Sequence, residues 1–167
     1  MAGIKNMEDL FLHTLKDIYY AERQILKALP KMAKAAESPA LSDAFLKHRD
    51  QTQEHVERLQ QVFEALGKRA QGVTCEAING LIAECEELLE EAKEPSAVRD
   101  AGLIACGQAV EHYEMARYGT LVAWAQAQGN TSVTSLLKQT LSEEKETDAM
   151  LSKMGTGDIN KAAAKPM

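Results

Sequence analysis

Four long stretches of this chain carry apolar residues at alternating spacings of three and four, and each stripe is broken near its middle by polar side chains. Such spacing belongs to an amphipathic helix with one face turned toward a core. In the first stretch Phe11, Leu15, Ile18, Ile25, Leu29, Met32 and Ala36 follow the rule, with Glu22 standing where an apolar residue should. The second carries Leu41, Phe45, Leu59, Val62 and Leu66 around His48, Thr52 and His55, with Gln51 at the edge of that face. In a later stretch Ile104, Gly107, Tyr118, Leu121 and Ala125 are interrupted by Glu111 and Glu114 of "AVEHYEMARYGT". The last stripe, Val133, Leu137, Thr140, Leu151 and Met154, is interrupted by Glu144 and Thr147. No alternating strand pattern occurs, so the class is all-α.

The breaks between helices are marked by caps, glycines and prolines. Asn6 caps a first helix with Asp9 in its first turn, and that helix runs to about Glu37, where "ESPAL" interrupts it. Pro39 opens a second helix reaching about Leu66, before "GKRAQG". A third spans roughly Thr74 to Lys93, and its run "ECEELLEEAKE" reads as a solvated face. Ser96 caps a fourth helix that stops at "GN" after Gln128, and a fifth covers roughly Ser132 to Met154. The remaining stretch, "GTGDINKAAAKPM", is expected as a flexible tail, giving one helical domain over 1–154 and a tail over 155–167. A chain of 167 residues, 45% apolar, is long enough for one sizeable core and too short for two ordinary domains.

A net charge of −6 without Lys/Arg clustering argues against a nucleic-acid partner. The opening "MAGIKNMEDLF" has no apolar leader pattern, and no apolar run is long enough to span a bilayer, so the expectation is a cytoplasmic protein without a membrane partner. Cys75, Cys85 and Cys106 lack C-x-x-C spacing and read as small core residues in a reducing compartment.

Taken singly, the interruptions have ordinary explanations. A glutamate on an apolar stripe is commonly half exposed or paired. His48 reads as an ordinary semi-buried histidine, and His13 and His112 fall off the stripes as solvated residues. Depth in the bundle changes this reading. If the first two helices form a hairpin, Glu22 lies sixteen residues before Ser38 and His55 sixteen after Pro39. In a second hairpin Glu114 precedes Gly129 by fifteen residues and Glu144 follows Asn130 by fourteen. At about 1.5 Å per residue both polar layers fall roughly 20–25 Å from their turns. Packed side by side, the hairpins bring the layers together.

Several carboxylates in one core cannot stay ionised and unpaired, because burying each costs several kcal/mol or more and like neighbours add to it. Something cationic is required. No Lys or Arg lies on these stripes; Arg117 adjoins its own, and Arg23 and Arg58 lean away. Oxygen ligands with an imidazole suit one or two divalent ions of the iron, manganese or zinc type. Tyr19 and Tyr118 stand close enough along their helices to hydrogen-bond such ligands, or simply to fill the core. Competing chemistries find no support. "QAVEH" carries Gln108 where the inverted zinc-protease motif needs His, and there is no phosphate loop or G-x-S-x-G elbow. A coiled-coil adaptor would explain the stripes but not the aligned acids.

The segments "EDLFLHTLKDIYYAERQILKALPKMA", "HRDQTQEHVERLQQVFEALG", "VEHYEMARYGTL" and "TLSEEKETDAMLS" resemble the YciF family of bacterial stress proteins over most of the chain. The resemblance implies a ferritin-like four-helix bundle of two antiparallel hairpins with an additional crossover helix, carrying a rubrerythrin-like di-metal site and assembled as a homodimer. On that basis Glu22 matches the first-helix ligand, Glu111 and Glu114 the E-x-x-E of the fourth helix, and Glu144 the ligand of the last. The second helix departs from the usual Glu-x-x-His and offers Asp50, Gln51 and His55, of which Gln51 and His55 share a face. The last helix has Thr147 where such a motif carries His, with Asp148 flanking it. Glu143 is open as a ligand, an outer acceptor or an exposed residue. The expected metal set is therefore Glu22, Gln51, His55, Glu111, Glu114 and Glu144, holding two iron ions, with manganese or zinc as substitutes. The function expected is a di-iron carboxylate protein that reacts with dioxygen or peroxide. The alternative is a structural or interaction bundle in which metal only stabilises or is absent. Nothing in the sequence specifies an iron-storage shell.

Overall fold

In the computed structural model, which describes residues 3–165, each long helix begins where a short side chain can satisfy free backbone N–H groups. Helix α1 (Met7–Ala35) opens on Asn6, whose side chain accepts from the Asp9 amide at 2.8 Å. Ser38 caps α2 (Pro39–Ala65), with Pro39 at its first position, and Ser96 caps α4 (Ala97–Ala127). Asn130 caps α5 (Thr131–Met154), one residue earlier than the sequence reading placed its start. The shorter α3 (Glu76–Glu91) takes the Cys75 thiol as its cap. Gly67 and Gly129, just past the ends of α2 and α4, have φ of 64° and 70°, a left-handed conformation that glycine adopts without steric cost.

Helices α1 and α2 form one antiparallel hairpin and α4 and α5 the other; α1 packs on α4, α2 packs on α5, and α3 crosses between the hairpins against α1 and α4. The apolar stripes meet inside, where Leu15, Ile18, Leu41, Leu59, Phe63, Leu121 and Leu137 are at most 1% exposed. Full burial of each such side chain is worth about 1.5–3 kcal/mol. Among the described residues there is no strand. The result is the all-α class expected from the stripes, arranged as the two hairpins and crossover helix that the resemblance implies.

Helical structure continues at the C-terminus. Residues 155–163, read as tail, continue as a π-helical turn (Gly155–Ile159) and a short α6 (Asn160–Ala163). Both pack on α4, Gly155 is buried beside Ile104, and Ile159 packs against the core. "GTGD" has poor helix propensity, so packing against α4 and not local preference holds this segment. The last two residues of the expected tail, 166 and 167, lie outside the described residues.

The corner between α1 and α2 is tied down from α4. Asp100, 2% exposed, accepts the backbone N–H groups of Glu37 and Ser38, both at 2.8 Å. Its neighbour Arg99 donates to the carbonyls of Ala35, Ala92 and Lys93, tying the ends of α1 and α3 to the start of α4. Asp100→Ala would take the acceptor from the Glu37 and Ser38 amides and lose two charge-assisted bonds, so a loss of about 2–4 kcal/mol is expected. Denaturant unfolding reads this directly, and an unchanged midpoint would contradict the role assigned to the corner.

Candidate metal centre

The four long helices each deliver acid or imidazole side chains to one level of the bundle. Helix α1 supplies Glu22, α2 His48 and His55, α4 Glu111 and Glu114, and α5 Glu144; none is more than 3% exposed. They converge as two groups, Glu22 with His55 and Glu144, and His48 with Glu111, Glu114 and Glu144. Within each group the atoms available to a metal lie within 4.8 Å of one another. Glu144 belongs to both. Its Oε1 is 3.0 Å from His55 Nδ1 and its Oε2 is 3.9 Å from His48 Nε2, so its two oxygens face different imidazoles.

Whether the donors fit a metal is decided by how they are satisfied. His48 Nε2 lies 2.9 Å from Glu111 Oε1, and His55 Nδ1 lies 3.4 Å from Glu22 Oε1, yet neither nitrogen makes a well-directed hydrogen bond. Both oxygens of Glu114 and of Glu144, with Oε2 of Glu22 and of Glu111, are also buried without a hydrogen-bond partner. Native interiors rarely tolerate so many orphaned polar atoms. Oxygens and imidazole nitrogens gathered this closely, with no hydrogen bonds to satisfy them, suit divalent iron, manganese or zinc.

The surroundings hold these groups in place. The Tyr118 hydroxyl donates to Glu22 Oε1. Glu143 pairs with the outer nitrogen of His55 at 2.8 Å and accepts from Arg58, which also donates to Thr140 at 2.7 Å. A carboxylate on the outer nitrogen fixes the ring and leaves the inner nitrogen facing the cluster. Arg58, read from sequence as leaning away, is thus buried and braces His55 through Glu143.

Other sequence assignments shift as well. His48, read as an ordinary histidine, is a full member of the cluster. The signal was available: it shares a face with His55, seven residues on, and Thr147 is smaller than the histidine expected there. His48 Nδ1 reaches to 3.4 Å from the Thr147 hydroxyl, occupying that space. Gln51 is only half-buried, whereas Thr52 and His55 on the same helix are buried, and it is His48 and His55 that meet the carboxylates. Asp50 is exposed and paired with Arg49, and Asp148 is engaged by His112 at 3.2 Å and by Gln108. Tyr19 accepts from Gln60 and packs edge-on against Phe63, leaving Tyr118 as the tyrosine on Glu22.

Burial and proximity split the carboxyls. Burial raises Glu111 to about 8, and it pushes Glu114 well up, aided by Glu144, Glu22 and Glu111. Burial would raise Glu144 too, but its contacts with His55 and His48 hold it below the ordinary range. Burial opposes the charge on His55, yet Glu22 and Glu144 raise it to about 11. Without metal, protons therefore occupy part of the cluster at neutral pH. Groups raised on folding stabilise fully below their unfolded values and lose that contribution as pH rises to the folded value. For Glu111 the window is 4.5 to about 8, and for His55 it is 6.5 to about 11. Melting of chelator-treated protein should therefore fall between about pH 6 and 9. Divalent metal, which must displace those protons, should bind more tightly across the same interval and offset the fall. Melting temperatures with chelator and with metal test this; parallel curves would contradict it.

Two antiparallel hairpins, a crossover helix and a carboxylate–histidine layer at mid-bundle together define a ferritin-like helical protein. The chain belongs to the family described as a domain of unknown function, DUF892, whose pattern it matches over residues 6–164. It is 44% identical over 162 residues to protein YciF of Escherichia coli K12, which covers 96% of this chain and 97% of that one. The crystal structure of the E. coli stress protein YciF superposes with a TM-score of 0.90 at 43% identity, covering 95% of this chain and 99% of that one. YcfI of Rhodopseudomonas palustris, whose description offers a structural role, gives 0.86 at 49% identity, covering 89% and 94%.

Proposed function

We propose that this protein is a di-metal carboxylate protein of the bacterial stress response, binding two iron ions that react with dioxygen or peroxide. The observation that carries the reading is Glu144, whose two unpartnered oxygens face two different donor groups. In this arrangement Glu22 and His55 would hold one ion, His48, Glu111 and Glu114 would hold the other, and Glu144 would serve both. Bound iron would supply electrons to the oxidant, with manganese or zinc able to occupy the same donors. The chain's own part is to hold charge: Tyr118 steadies Glu22, and Arg58 with Glu143 orients His55. The description of YciF as a stress protein supports the setting. We place the protein in the cytoplasm as a homodimer; among the described residues no helix is long and apolar enough to cross a membrane.

The test is elemental analysis of untagged protein, then anaerobic Fe(II) titration and exposure to dioxygen and peroxide. About two irons per chain with an absorption band appearing on oxidation is expected. A protein that takes up no metal would overturn the reading. A second reading, in which metal only pins the hairpins, is favoured by Thr52 and Thr147 standing where Glu-x-x-His pairs are usual. Under it metal raises the melting temperature and no oxidant is consumed.

A further inference from the structure

The cysteines are not equivalent. Cys75 is 2% exposed, caps α3 and contacts the Tyr113 hydroxyl at 3.0 Å. Cys85 on α3 and Cys106 on α4 instead stand on neighbouring helices, each about one turn from the point where Leu88 of α3 packs against Gly102 of α4. Both cysteines line a cavity of about 40 Å³ between α1, α3 and α4, whose walls include Leu89 and Val110 and which reaches His48 and Glu111. A water needs about 10–15 Å³ of such space, so a molecule the size of hydrogen peroxide fits. Cys106 is half-buried and Cys85 buried, which ranks them by access.

From this geometry we propose that Cys85 and Cys106 are a peroxide-reactive dithiol that closes to a disulfide between α3 and α4. The Cys106 thiolate attacks one peroxide oxygen, the O–O bond breaks, and a sulfenic acid forms as the departing hydroxide takes a proton and leaves as water. Cys85 sulfur then attacks the Cys106 sulfur, forming the S–S bond, and the sulfenic hydroxyl leaves with the Cys85 proton as a second water. Two thiols are oxidised by two electrons and one peroxide is reduced to two waters. The asymmetry of the pair favours these roles: the Cys85 thiol beside it holds Cys106 below the usual thiol range, while Cys106 and burial push Cys85 up. The step needs no metal.

The experiment treats the full-length, chelator-stripped protein with hydrogen peroxide, then counts thiols after unfolding and maps the peptides. Three thiols should fall to one, with Cys85 linked to Cys106 in the same chain and an intact mass lower by two hydrogens. Cys75→Ser should leave the link unchanged. Cys85→Ser should halt at a Cys106 sulfenic acid trapped by dimedone, forming at least ~10-fold faster than any product at Cys75. Retention of all three thiols, equal oxidation at the three positions, or links only between chains would each overturn the proposal. Because metal is absent, failure here leaves the metal reading untouched, and success does not depend on it.

Discussion

Glu144→Gln is expected to abolish binding at both metal positions at once. Glu144 is the one carboxylate in both donor groups, so its neutralisation removes a ligand from each. Altering an outer partner of a ligand already costs about 10–100-fold in affinity, and losing the shared ligand should cost about 100-fold or more at both. Glu22→Gln should affect mainly the ion held with His55, leaving about one metal per chain. In the metal-free protein Glu144→Gln should also be destabilising, by roughly 3–5 kcal/mol. It strips the counter-charge from two buried imidazoles, and breaking a buried pair on one side leaves the other charge uncompensated. Metal titration and chelator-treated unfolding read the two effects separately. Full retention of two metals in Glu144→Gln would sink the shared-ligand assignment.

Glu114→Gln should show the opposite sign in the metal-free protein. Both Glu114 oxygens are buried without partners, and burial with three neighbouring carboxyls drives the group to hold its proton. A glutamine of similar size replaces an already neutral carboxyl and removes the residual repulsion, so stability should be unchanged or higher. With metal present the same substitution should weaken binding by about 10-fold or more. A variant more stable when stripped yet less responsive to metal is the mark of a group kept for binding at the expense of the fold. If Glu114→Gln instead destabilises both forms equally, Glu114 is a structural residue.

Much of this was legible without coordinates, because it rests on periodicity and on counting from turns. The helical stripes, the caps at Asn6 and Ser96, the opening Pro39, and the similar depths of Glu22, His55, Glu114 and Glu144 are one-dimensional facts, and the hairpins follow from them. What spacing could not supply was which side chain fills the room another leaves. Thr147 is short, so His48 reaches into the site; nothing along α2 alone distinguishes His48 from a satisfied core histidine. Gln51 and His55 share a face, but a side chain at the edge of a face can stay half-buried while its neighbours turn inward. Arg58 looked outward by register, yet a long guanidinium can bend back to Glu143 and Thr140.

The sequence by itself determined the all-α class, the hairpins and the presence of a buried acid layer, since each depends on helical period and distance from a turn. The folded molecule alone shows that Glu144 stands between two donor groups, that Cys85 and Cys106 line one cavity, and that residues 155–163 return onto α4. Those outcomes depend on contacts between helices, where burial and the volume left by a neighbour outweigh local preference.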